Sequence, residues 1–150
     1  MSHELTIRTA NQNDLPSLLE LYRQLHPNDE TMSPAVASNI LAQFSHYSGS
    51  AIFLGLRDDA VVTTCTLIVI PNLTRGGAPY ALIENVVTDA QHRKQGYGKV
   101  ILKTAISTAW RHDCYKVMLL TGSRDPATLR FYEEVGFEQS KTGFQARRTD

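Results

Sequence analysis

The chain has 150 residues, with 15 Lys and Arg against 15 Asp and Glu, and so carries no formal net charge; this argues against a nucleic-acid binder held by general phosphate attraction. Its length suffices for one self-contained core, burying roughly 70% of the surface exposed by the unfolded form. No apolar run reaches the length of a signal sequence or a bilayer span, so no membrane association is expected and a cytoplasmic location is the simplest reading.

In chain order, Leu5, Ile7 and Thr9 predict a first strand, and Asn13-Asp14 ahead of Pro16 marks a helix start. Leu15, Leu18, Leu19, Tyr22 and Leu25 recur at helical spacing on one face. Ser33 as N-cap and Pro34 as first residue open a second helix, with Val36, Ile40 and Phe44 as its buried side and Ala37 and Leu41 beside them. Residues 51–57 and 61–70, joined by Asp58-Asp59, read as a hairpin rich in β-branched residues. A loop over 71–79 leads into 80–88, a near-continuous apolar run of the kind found in a central strand covered on both faces.

The segment Arg93-Lys94-Gln95-Gly96-Tyr97-Gly98 joins that strand to an amphipathic helix over 99–113. Two glycines let the backbone approach a bound group, consecutive N–H groups can point one way, and the helix adds its positive dipole end. Arg93 and Lys94 add full charge, so the expected guest is a phosphate or pyrophosphate. A P-loop is excluded by Arg93 and Val100, which stand where a Gly and a Ser or Thr belong. The dinucleotide fingerprint is excluded by Ile101 at its third glycine position.

Residues 117–121 form the next strand, parallel to the 80–88 strand if the helix makes the usual crossover. A short helix beginning near Asp125-Pro126 is stopped by Gly136, with strands expected from Phe137 and over 144–148. Cys65 and Cys114 read as free thiols of a reducing compartment. His3, His26, His46, His92 and His112 have no ligand spacing, so no metal site is expected.

Taken in this order, Arg93-x-x-Gly96-x-Gly98 and Phe131-Tyr132-Glu133-x-x-Gly136-Phe137 resemble the acetyl-CoA loop and the following helix-strand motif of the GCN5-related N-acetyltransferase family. The resemblance implies an α/β fold in a single domain over 1–150, with a mixed, splayed sheet of about six to seven strands flanked by about four helices. It implies acetyl-CoA as acetyl donor, held by Arg93, Lys94, Gln95, Gly96, Tyr97, Gly98 and Lys99, with the backbone at Val86 and Val87 facing the acetyl carbonyl and pantetheine arm. The reaction it implies is direct transfer to the primary amine of a small molecule. A protein N-terminal or lysine acetyltransferase is the alternative within the class, and a non-catalytic acyl-CoA-binding regulatory module the alternative outside it. A homodimer is expected by family analogy.

An alkylamine with pKa near ~10 must lose a proton before its nitrogen can attack a thioester, so a general base is required. Glu84, inside an apolar strand, is the first candidate; its structural reading is one half of an ion pair. Alternation puts Glu84 with Leu82 and Val86, and a bulge would re-aim it. Tyr132 occupies the family's general-acid position and is suited to protonating the departing thiolate; its structural reading is packing beside Phe131.

Asp125 stands where the family often has Asn, and Thr128 where it often has Ala. Asp125 is therefore read as a helix cap rather than a cofactor contact, Arg130 as a solvated side chain and His92 as an exposed spacer. Ile83-Glu84-Asn85-Val86-Val87 is similar to the corresponding strand of glucosamine-6-phosphate N-acetyltransferases, where Asp commonly replaces Asn85. Such an acceptor calls for cations, and Arg75, Lys141, Arg147 and Arg148 are candidates that read equally well as surface charge.

Overall fold

The computed structural model describes residues 4–149, so His3 and the rest of the extreme N-terminus lie outside it. The chain divides into two compact units, Met1–Leu119 and Leu120–Asp150. The first holds a five-stranded sheet in the order β1-β2-β3-β4-β5. Strands β1 (Thr6–Thr9), β2 (Ala51–Arg57), β3 (Ala60–Ile70) and β4 (Tyr80–Thr88) run antiparallel to their neighbours, and β5 (Val117–Met118) is parallel to β4. Helices α1 (Leu15–Leu25), α2 (Pro34–Gln43) and α3 (Tyr97–Arg111) belong to this unit.

Local chemistry explains these elements. The β2–β3 hairpin closes through Asp58 and Asp59, at φ 50° and 65°, the left-handed pair that a two-residue turn matched to strand twist requires. A single 3-10 turn, Gln12–Asp14, precedes α1: the Asn11 side chain accepts from Asn13 N–H, and the Asp14 carboxylate accepts from Asn11 N–H at 2.7 Å. Both Asp14 oxygens also accept from the Arg8 guanidinium, at 2.7 and 2.8 Å, which ties β1 to the base of α1 and holds the Asp14 carboxyl below its usual range.

Strand β3 is covered on both faces. Cys65 points its sulfur toward the Ile101 carbonyl of α3 at 3.9 Å. Thr64 and Thr66, on the opposite face, lie beside the Tyr22 ring of α1. That face continues into the apolar cluster of Leu18, Leu54 and Leu56, which Ala10, Tyr22, Ile52 and Val61 flank.

The second helix departs from its expected burial. Ala37 is buried and Leu41 and Phe44 are half-buried, but Val36 and Ile40 are 48% and 44% exposed. Ile40 and Leu41 line an apolar hollow with Leu15, Leu19 and Ile52 rather than a closed core. Helical period identifies an apolar face but not whether another element covers it.

In the second unit, α4 (Pro126–Val135) starts where Asp125 Oδ1 accepts from Ala127 N–H at 3.0 Å. It ends at Gly136, whose φ of 121° is accessible to glycine. Residues 137–149 form no strand, so the sheet has five strands among the described residues and not six or seven; the 117–121 strand likewise shortens to two residues. A strand requires a hydrogen-bonding partner as well as an apolar pattern, and the described residues of the 120–150 unit contain no strand to provide one. Phe144 there is 91% exposed.

Candidate active site

The site begins with an interruption in β4. Thr66 pairs with Glu84 and Thr64 with Val87, so Asn85 and Val86 together oppose Cys65 alone. This is a β-bulge, and Asn85 adopts φ 53° within it, a left-handed conformation that Asn tolerates better than the β-branched residues around it. The extra residue changes which side chains share a face. Glu84 lies with Leu82, as alternation predicts, but beyond the bulge its neighbour on that face is Val87 and not Val86. The Val87 side chain is buried and Val86 half-buried, which anchors the strand where its backbone pairing is broken. Glu84 is exposed and makes no ion pair or hydrogen bond within residues 4–119, so the reading of it as half of a structural ion pair has no partner in this unit.

The glycine loop follows. Helix α3 starts at Tyr97, two residues earlier than expected, because Gly96 at φ 82° is its N-cap. Tyr97, Gly98 and Lys99 therefore make up its first turn. The first helical bond runs from Val100 N–H to the Gly96 carbonyl at 3.2 Å, and no side chain caps the helix start. The N–H groups of this turn are thus of the kind that receives an anion. A Cβ added at Gly96 would meet nothing within 4 Å, so the backbone there is open to a bound group. Arg93 and Lys94 are exposed. Tyr97 differs from the rest: its ring is buried at 7% exposure, so its side chain anchors the loop and only its backbone is placed to meet a ligand. Gln95 is also engaged, accepting from Arg57 Nη1 at 3.0 Å.

A second set of contacts holds the start of this loop. The Gln24 amide of α1 donates to Asp89 Oδ1 at 2.7 Å and accepts from Ala90 N–H at 2.8 Å. Asp89 Oδ2 lies 2.6 Å from His92 Nδ1. Gln24 first, and His92 after it, hold the Asp89 carboxyl below its usual range. His92 is half-buried in this arrangement and is not the exposed spacer expected. Arg93 Nε donates to the Thr88 carbonyl at 3.3 Å, closing the turn from the other side. Sequence reading missed Gln24, Asp89 and Arg57: contacts across 65 and 38 residues leave no local pattern.

In the 120–150 unit, the Tyr132 ring packs edge-on against Phe131 and Phe137, with centroids 5.0 and 6.1 Å away. Burial pushes its phenol up. Asp125 is the helix cap expected. Arg130, Lys141, Arg147 and Arg148 are exposed. Arg75, the remaining candidate for the acceptor side, lies over the Tyr115 ring at 5.5 Å.

No group of three or more His, Cys, Asp or Glu gathers among the described residues in a way that could hold a metal. Cys65 and Cys114 are both buried and free, and burial pushes the Cys65 thiol up to about 12. Among the described residues no helix is long and apolar enough to cross a membrane.

Comparison with known proteins adds four findings. The family model described as Acetyltransferase (GNAT) family matches residues 15–137. A glucosamine 6-phosphate N-acetyltransferase of Trypanosoma brucei brucei is 30% identical over 139 residues, 89% of each chain. Among solved structures, a protein of Agrobacterium tumefaciens str. C58, provisionally assigned as an acetyltransferase, superposes with a TM-score of 0.89 at 48% identity, covering 95% of this chain and 99% of that one. An acetyltransferase of Trypanosoma brucei superposes with a TM-score of 0.81 at 28% identity, over 98% and 99% of the two chains.

Proposed function

The chain belongs to the acetyltransferase (GNAT) family, and from that premise we propose that its acceptor is the primary amine of a phosphorylated amino sugar, with glucosamine 6-phosphate the first candidate. The enzyme is an N-acetyltransferase that uses acetyl-CoA and acts on a small-molecule amine. The observation that carries the choice of acceptor is the relative of that activity, which is similar over 89% of both chains.

Bound acetyl-CoA supplies an activated thioester, and the residues of this chain supply position and proton movement. The first turn of α3, with Gly96, Tyr97, Gly98 and Lys99 offering N–H groups and Arg93 and Lys94 adding charge, is the proposed pyrophosphate cradle; Gln95 supports its shape through Arg57. The open space at Gly96 and the uncapped helix start support this fit. The backbone at Val86, freed from regular pairing by the bulge, and that at Val87, where the ladder resumes opposite Thr64, are the proposed donors to the acetyl carbonyl. Glu84, exposed and unpaired within its unit, takes the proton of the acceptor ammonium. Tyr132, a phenol and so protonated at neutral pH, gives a proton to the departing sulfur.

We take residues 1–150 as one catalytic domain and a second copy of the chain as its partner. The unpaired 137–149 segment and the exposed Phe144 support that partner. The buried free thiols support a cytoplasmic setting. The test is thiol release from acetyl-CoA across amines. Release with glucosamine 6-phosphate that exceeds release with glucosamine, polyamines and peptides supports the acceptor; a peptide-only response transfers the assignment to protein acetylation.

A further inference from the structure

Directly across the β3–β4 ladder from Glu84 stands Thr66. Residues paired in this way project their side chains to the same face with Cβ atoms roughly 4.5–5.5 Å apart, within reach of a Glu side chain folding back on its neighbour. Thr66 is 5% exposed and its hydroxyl oxygen makes no hydrogen bond among the described residues. It is the buried side-chain polar atom in the described structure that lacks a partner. Its neighbour Thr64 shows the ordinary solution, donating to the Phe53 carbonyl at 2.7 Å. The Tyr22 hydroxyl lies beside both threonines and its proton is affected by each, and the Thr66 oxygen still has no hydrogen bond of good geometry among the described residues.

Valine would fill the same space beside Tyr22 without a buried, unpaired hydroxyl. A threonine here leaves a donor beside the bulge, on the face of the proposed base. We propose that Thr66 is a positioning residue for Glu84: its hydroxyl donates to the Glu84 carboxylate when the acceptor ammonium draws that side chain onto the sheet, fixing which oxygen faces the amine. This rests on the reading of Glu84 as general base.

Thr66→Val keeps shape and removes the donor. The expected result is a fall in kcat on the order of ten-fold, with KM for acetyl-CoA and for the best acceptor amine within about two-fold, and a melting temperature at or above that of the unmodified protein. Thr66→Ser, which retains the hydroxyl, restores most of kcat. Combining Thr66→Val with Glu84→Gln leaves kcat no lower than Glu84→Gln alone, because the two side chains act as one unit. An unimpaired Thr66→Val, a fall that Thr66→Ser fails to restore, or a loss that follows a lowered melting temperature overturns the proposal. Glu84→Gln alone separates the two readings. If it keeps full kcat, the base assignment fails and the role of Thr66 falls with it; if it is crippled beside an unimpaired Thr66→Val, only the role of Thr66 is lost.

Discussion

Gln24 holds Asp89 with both ends of its amide, donating to the carboxylate at 2.7 Å while accepting from the next residue's N–H at 2.8 Å. A side chain near the end of α1 thereby sets where the chain leaves β4 and turns toward the Gly96 loop. Gln24→Ala is expected to raise KM for acetyl-CoA several-fold while changing kcat little, since the loop loses its tether but keeps its donors. Initial rates with varied acetyl-CoA at saturating acceptor measure this, and an unchanged KM would show that the loop holds its shape without Gln24.

Gly96→Glu places a carboxylate and a Cβ at a residue with φ 82°, in the space the cradle leaves open. CoA binding by calorimetry should disappear while circular dichroism stays close to that of the parent, because no atom lies within 4 Å of the new Cβ and the strain of a side chain at positive φ falls on the helix cap alone. Retained CoA affinity would move the pyrophosphate elsewhere.

Glu84→Gln preserves size and removes the basic function. A loss of about 10²-fold or more in kcat at neutral pH is expected, the usual scale for a general base, with CoA affinity unchanged. Partial recovery of rate as pH rises toward the acceptor's own pKa would identify the missing function as proton removal.

Tyr132→Phe keeps the ring contacts with Phe131 and Phe137 and deletes the hydroxyl. Because a thiolate of pKa near ~8.5 is a fair leaving group unaided, kcat should fall by about ten- to a hundred-fold without vanishing. Melting temperature should hardly move.

The Arg8–Asp14 pair makes a prediction about acid stability. Asp14 has a folded-state pKa below its unfolded one, the Arg8 hydrogen bonds being the main cause. Its contribution is therefore complete above the unfolded value, roughly 3.9, and is lost as pH falls through the lower folded value. Arg8 is 40% exposed, so screening by water weakens the pair. Asp14→Asn should cost about 1 kcal/mol at neutral pH, through the lost charge and the lost second acceptor for Arg8, since the amide oxygen can still accept from Asn11 N–H. Chemical denaturation of both proteins at pH 7 and pH 3 should show the difference shrinking at the lower pH.

Most of the sheet was readable from local signals. Asp58-Asp59 announced a hairpin connection, Ser33-Pro34 and Asp125-Pro126 announced helix starts, and the apolar run over 80–88 announced a central strand. The loop from Arg93 to Gly98 could be read as an anion site because glycines, charge and a helix start fall within six residues. The bulge beside Glu84 was foreseen only as an option, since a bulge is a relation between two strands and the partner, Cys65, is 20 residues upstream of Asn85. Burial of α2 and the pairing of 137–149 failed for the same reason, as both depend on what lies opposite. Thr66 gave no signal at all. In a strand rich in Thr and Val, one more threonine is ordinary, and only its missing partner sets it apart.

Asn85 also dictates which sequences the strand can accept. Along the rest of β4, substitution by valine or isoleucine fits a pleated surface; at position 85 the same change forces a branched side chain into left-handed backbone. A saturation library selected for activity should therefore enrich Gly, Asn and Asp at that single codon while its neighbours drift toward β-branched residues. A consensus-style stabilisation of the strand that overlooked this position would straighten the ladder, return Val87 to the opposite face from Glu84, and yield a protein that is sturdier and inert.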